Sequence, residues 1–235
     1  MTSLHSITGK TQAPWVRRLN LPMYQVKEAA RYAGVSPQTI LNWQSGTSTV
    51  AEREKGVALS YLQLIEVAVV AAMRDAGISL NTIRAARNYI AQRLTSEYPF
   101  AQYRFMTDGK HILMEFSTFD KTKSKDKLIV VSKNGQLGWK EILENRLREF
   151  EYKNGLAIRW KLGGENSPII IDPQISFGAP VVKGTPTWAV KGRFDSGESI
   201  EDIADDFSLP LSDVKKALEF EGIDTKIIDS AAWSH

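Results

Sequence analysis

Apolar residues recur at helical spacing through the first hundred positions. Segments 26–32 and 37–43 are short and amphipathic, and Ala33-Gly34-Val35 separates them. Segment 57–75 is long and apolar, and Gly77 is a suitable helix stop. Ser79 then caps a helix carrying Leu80, Ile83, Ala86, Ile90 and Leu94, and Pro99 closes the run. Residues 1–20 lack periodicity and read as an arm, although Trp15, Val16 and Leu19 can dock on the helices after them.

The period changes at Tyr103. Segments 103–106 and 111–116 flank Thr107-Asp108-Gly109-Lys110, a hairpin signal because Asp-Gly tolerates positive φ. A charged stretch at 120–127 reads as a loop and 128–131 as a strand; 139–152 reads as a helix, and 156–162 as a strand ended by Gly163-Gly164. Residues 167–184, rich in Pro and Gly, read as an extended arm before three helices at about 187–196, 199–207 and 212–221. The expected fold class is α+β and mostly helical. It comprises a helix-turn-helix domain over 1–100, a mixed α/β module over 101–166 and a helical domain with a tail over 167–235.

Segment 24–43, YQVKEAARYAGVSPQTILNW, meets the steric demands of a helix-turn-helix. Ala29 and Ala30 let two helices approach, Gly34 makes the turn, and Val35, Ile40 and Trp43 fill the core. Ser36 is an N-cap and Pro37 takes the first helical position, where its missing N–H costs nothing. Gln38, Thr39 and Asn42 then face outward near the start of the second helix. Gln and Asn can pair with adenine, and Thr can reach a phosphate or a thymine methyl; merely solvated side chains are the alternative. Arg17, Arg18, Lys27 and Arg31 are candidates for phosphate contacts. With Ser36 at the helix start, these residues form the expected DNA-binding set.

Charge supports that placement. Residues 1–100 carry 11 Lys+Arg against 6 Asp+Glu, residues 101–166 carry 13 against 9, and residues 167–235 carry 6 against 12. Affinity for nucleic acid comes largely from neutralised phosphates, so any DNA contact belongs to the front and the back needs another partner. On the back, Ile200, Ile203 and Ala204 with Val214, Ala217 and Leu218 can form a core, leaving Glu201, Asp202, Asp205 and Asp206 outward. That acidic face suits a basic protein surface, or is simply solvated.

Composition narrows the remaining classes. At 43% hydrophobic and 24% charged, with no apolar run longer than 67–73, the chain is expected to be soluble and cytoplasmic, without a membrane partner. Without cysteine there is no disulfide or thiolate metal site, and only His5, His111 and His235 offer imidazole. No catalytic fingerprint is visible, so no enzyme, metal or cofactor is expected; the closely spaced Asp202, Asp205 and Asp206 are the one carboxylate group that would suit a metal.

Two resemblances sharpen these expectations. Residues 22–95 resemble the MerR-type winged helix-turn-helix, whose motif is followed by a long helix and a further one. Residues 169–222 resemble a small helical domain-of-unknown-function family found in bacterial toxin–antitoxin operons. The residues that carry the second resemblance are Asp172-Pro173, the stretch Gly178-Ala179-Pro180-Val181-Val182-Lys183-Gly184-Thr185, Gly197-Glu198-Ser199 and a closing helix. In the family pattern an arginine shortly follows the Gly-Thr, whereas here Pro186 does. The likeness extends to VapB-type antitoxins that neutralise PIN-domain ribonucleases. It implies a homodimer that binds double-stranded operator DNA at its front, regulating its own transcription, and grips a PIN-domain toxin at its back. It also implies a neutralising tail, in which Ile227, Ile228 and Trp233 would bind the toxin or else pack on their own domain. A MerR-like regulator that senses a small ligand through the middle module is the alternative.

Overall fold

The computed structural model describes residues 14–45, 49–102 and 145–225. Five helices come first: α1 (Pro14–Leu19), α2 (Val26–Ala33), α3 (Pro37–Gln44), α4 (Tyr61–Asp75) and α5 (Leu80–Leu94). A short 3-10 turn, Pro99–Ala101, comes after them. An antiparallel meander of five strands is next: β1 (Phe150–Lys153), β2 (Leu156–Lys161), β3 (Ile169–Ile171), β4 (Pro180–Val182) and β5 (Thr185–Pro186). Helices α6 (Thr187–Asp195), α7 (Ile200–Phe207) and α8 (Leu211–Phe220) complete the described chain. The fold is α+β. Among the described residues no helix is long and apolar enough to cross a membrane.

Helix α4 is the central post. Every residue from Tyr61 to Met73 is buried, as expected of a helix apolar on all sides. It starts at Tyr61 and not at residue 57, because Ser60 and Gln63 form a capping box while Leu59 pairs with Tyr24 as an isolated bridge. Around α4 lies one continuous core that joins Ile40 and Trp43 of α3, Ile83 and Ile90 of α5, and Phe150, Trp160 and Ile171 of the sheet. A second core gathers Val182, Val190, Ile200, Ile203, Val214 and Leu218 around the last three helices.

The structure corrects two of the expected elements. The helix expected over 139–152 gives way by Phe150 to strand β1, which pairs with β2 across the two-residue turn Asn154-Gly155. Both turn residues have positive φ, the geometry that matches hairpin twist. Phe150 is buried against Trp160, at a centroid separation of 5.6 Å, and the Trp160 indole N–H donates to Glu149 at 2.9 Å. The arm expected over 167–184 is instead strands β3 and β4, paired in the register Ile169↔Val182 to Ile171↔Pro180. Two apolar triplets bury their side chains this way while the ladder satisfies their backbone groups. The expected hairpin at 103–116, loop at 120–127 and strand at 128–131 lie outside the described residues.

Candidate nucleic-acid interface

Local chemistry sets the geometry of α2 and α3. Glu28 accepts a hydrogen bond from the Gln25 backbone N–H at 2.8 Å, fixing the start of α2. Gly34, at φ 70°, ends that helix, and the Val35 N–H turns back to the Ala30 carbonyl at 3.0 Å. Ser36 Oγ accepts from the Thr39 backbone N–H at 3.1 Å and lies 2.8 Å from the Thr39 hydroxyl. Both hydroxyls are therefore engaged at the helix start. Ala29, Ala30 and Ala33 are buried where α2 crosses its neighbours, and Ile40 and Trp43 seal the inner face of α3.

The outer face of α3 presents Gln38, Leu41 and Asn42. The Gln38 amide N–H donates to Asn42 Oδ1 at 2.9 Å, so the two side chains hold one another one turn apart. Gln38 Oε1 and the Asn42 amide N–H groups are the acceptor and the donors that this bond does not use. Leu41 stands beside this pair at 40% exposed, an apolar residue that sequence reasoning passed over. Its position beside two amides suits a thymine methyl.

The four expected phosphate contacts are placed differently from one another. Arg17, Arg18 and Lys27 are not buried, and Arg18 donates to the Gln174 carbonyl at 3.4 Å. Arg31 reaches across to the C-terminal helices and pairs with Glu221 at 3.0 Å. Its guanidinium lies 5.3 Å from the Tyr32 ring centre and 4.7 Å from that of Phe220. Burial disfavours the Arg31 charge, but the hydrogen bond and charge of Glu221 outweigh this and raise its pKa. Glu221 also accepts from the Thr187 hydroxyl at 2.5 Å, tying α2 to both α6 and α8.

Another seam forms at Gly178, which has φ +75°. A Cβ there would lie 2.3 Å from the Tyr24 hydroxyl. Between α4 and α5, Glu66 and Arg87 make a buried ion pair at 2.7 Å. The Glu66 carboxylate also accepts from the Phe100 N–H at 2.9 Å, and Arg87 donates to the Glu97 carbonyl at 2.7 Å. Burial pushes the Glu66 carboxyl above its ordinary pKa against the pull of Arg87. Nothing in the spacing of Glu66 and Arg87 marked them as partners.

The C-terminal helices carry the acidic face read from the sequence. Ile200, Ile203 and Ala204 are buried, whereas Glu201, Asp202, Asp205 and Asp206 are exposed. Asp206 is paired with Arg193, and Asp202 bonds the Ser199 hydroxyl at 2.7 Å. Two aromatic rings also stand in solvent, Phe177 at 94% exposed in the β3–β4 connection and Trp188 at 63% in the first turn of α6. Ile227, Ile228 and Trp233 lie outside the described residues.

Residues 169–220 match the family model described as "Protein of unknown function (DUF433)". This is the stretch whose motifs resemble a domain of unknown function. Along most of its length the chain is also similar to a Mycobacterium tuberculosis protein named "Putative antitoxin VapB45", with 25% identity over 228 residues, 86% of this chain and 95% of that protein. Its fold is similar to the crystal structure of Rv2018 from Mycobacterium tuberculosis, with a TM-score of 0.75 and 26% identity over 86% of this chain and 99% of that one. The chain thus resembles, over most of its length, a mycobacterial protein whose name is "Putative antitoxin VapB45", and carries a DUF433-like segment that supplies β3 to α8.

Proposed function

We propose that this protein is the antitoxin of a toxin–antitoxin pair, with a front half that binds operator DNA and a back half that neutralises a PIN-domain ribonuclease. The observation that carries the reading is the similarity to the antitoxin-named relative over 86% of this chain, too much to be confined to the DUF433-like back. A shared back segment alone would say nothing about the front.

The helix pair α2–α3 supplies the DNA-reading part, as a MerR-like head. Ser36 and Pro37 start α3 sharply, and Gln38, Leu41 and Asn42 form an outward face of donor, acceptor and methyl-seeking groups. An adenine offers the N7 acceptor and the N6 donor that this amide pair complements. Arg17, Arg18 and Lys27 are accessible cations for flanking phosphates. In a two-fold dimer the two α3 helices would enter successive major grooves about 34 Å apart on a pseudopalindromic site.

The back half has the wrong charge for DNA and the right surface for protein. Its acidic α7 face and exposed Phe177 and Trp188 suit a basic partner with apolar pockets, and Ile227, Ile228 and Trp233 come after them in the chain as tail anchors. Co-expression with the product of the adjacent gene tests the pairing. The reading expects a stable complex in which that product's ribonuclease activity is suppressed. Trp233→Ala with Ile227→Ala and Ile228→Ala should weaken the complex and leave duplex binding intact. Undiminished ribonuclease activity in the presence of excess wild-type chain would refute the antitoxin assignment.

A further inference from the structure

The cation of α2 best held by its surroundings is also the one least available to DNA. Arg31 is still 46% exposed along its side chain, so solvent and solutes reach it, whereas its partner Glu221 is only 12% exposed. The carboxylate is fixed from behind by the Thr187 hydroxyl, and Thr187 is itself fully buried. The rings of Tyr32 and Phe220, stacked at 6.2 Å, flank the guanidinium. The result is a preorganised anion facing a half-open cation. A carboxylate in that position makes the charge-assisted hydrogen bond that a DNA phosphate oxygen would make.

We propose that Glu221 is an internal competitor for phosphate: it occupies the Arg31 guanidinium, so that the C-terminal helices restrain DNA binding by the head. The inference rests on the reading of α2–α3 as the DNA-binding element. Its consequence is that anything drawing Glu221 or Phe220 away from α2 adds one phosphate contact to the head. Conversely, duplex binding through Arg31 loosens the contact of α8 with α2, since the two partners compete for one guanidinium.

The test uses the full chain and a fluorescein-labelled duplex of about 25 base pairs, with binding followed by anisotropy over a range of KCl concentrations. Glu221→Gln keeps an oxygen for the Thr187 hydroxyl but removes the charge. It should tighten binding about two- to five-fold at low salt, the scale of an exposed ion pair, and steepen the salt dependence by about one phosphate contact. Arg31→Ala should weaken binding, and adding Glu221→Gln to it should then change nothing. Thr187→Val removes the hydroxyl behind the carboxylate but leaves the Arg31–Glu221 pair and its charges in place, and should leave the salt slope as in the wild type.

If Glu221→Gln binds like the wild type, tightens binding equally without Arg31, or is matched by Thr187→Val, the proposal is overturned while the DNA-binding reading stands. If no form of the protein binds the duplex even at low salt, both fall.

Discussion

Removing Arg87 isolates a buried charge, and the consequences can be worked from its surroundings. The Glu66 side chain is wholly buried on α4 and takes one oxygen's hydrogen bond from Arg87 Nε at 2.7 Å and the other's from the Phe100 N–H at 2.9 Å. In Arg87→Ala the second contact survives and the counter-charge is lost. Breaking one side of a buried pair typically costs about 3–5 kcal/mol, because the remaining charge is desolvated without compensation. For a chain of this size that corresponds to a fall of about 6–20 °C in midpoint temperature.

The pH dependence provides a second, independent check. Burial already raises the folded-state pKa of Glu66 above that of the unfolded chain. A raised pKa means that the group's contribution is fully present below the unfolded pKa and is lost as pH rises through the folded one. Without Arg87 the carboxyl should titrate higher still, so the deficit of Arg87→Ala should be smaller at about pH 5 than at about pH 8. Urea denaturation of both forms at the two pH values measures this. A loss under about 1 kcal/mol at the higher pH, or an equal loss at both, would refute the reasoning. Glu66→Gln with Arg87→Met should recover most of the stability, since replacing both charges leaves no unpaired one.

Other sites give equally direct outcomes. Gly178→Ala combines positive φ with a Cβ aimed at the Tyr24 hydroxyl, and should cost about 2–4 kcal/mol in urea denaturation; wild-type stability would contradict the described seam. Ser36→Ala removes the cap of α3 and should destabilise by about 1 kcal/mol, whereas Ser36→Asp should retain most of the stability, as read by thermal unfolding. Burial and the nearby Glu97 charge push the Tyr98 hydroxyl up to about 12. Ultraviolet titration should therefore show one late-ionising tyrosine missing from Tyr98→Phe, with stability declining as pH climbs from about 10 towards that value.

What the sequence discloses about this fold depends on the range of the interactions. Gly34, Ser36 and Pro37 act within one turn, so the break between α2 and α3 is visible in the residues themselves, as are the Ser79 cap and the inner and outer faces of α7. The sheet is less legible. Asn154-Gly155 is a strong turn signal, but the strand before it has only four residues, and Phe150 also fits the helical pattern read over 139–152. Triplets such as Ile169–Ile171 and Pro180–Val182 are too short to show a period, and only their pairing makes them strands.

Long-range contacts are not legible at all. Glu66 meets Arg87 at 21 residues' separation and Arg31 meets Glu221 at 190, and local patterning carries no information about either. Arg31 stands out in sequence as one more basic residue near the candidate recognition helix, whereas the fold assigns it a carboxylate and two aromatic rings.

The most direct test of the central claim is the salt dependence of duplex binding by the wild type and by a variant in which Arg17, Arg18 and Lys27 are changed to Glu, and Gln38 and Asn42 to Ala. The account predicts that the wild type binds with a steep dependence on salt and that the variant loses both affinity and most of the slope, while keeping its unfolding midpoint and its grip on the ribonuclease. Equal affinities and equal slopes for the two proteins would contradict it.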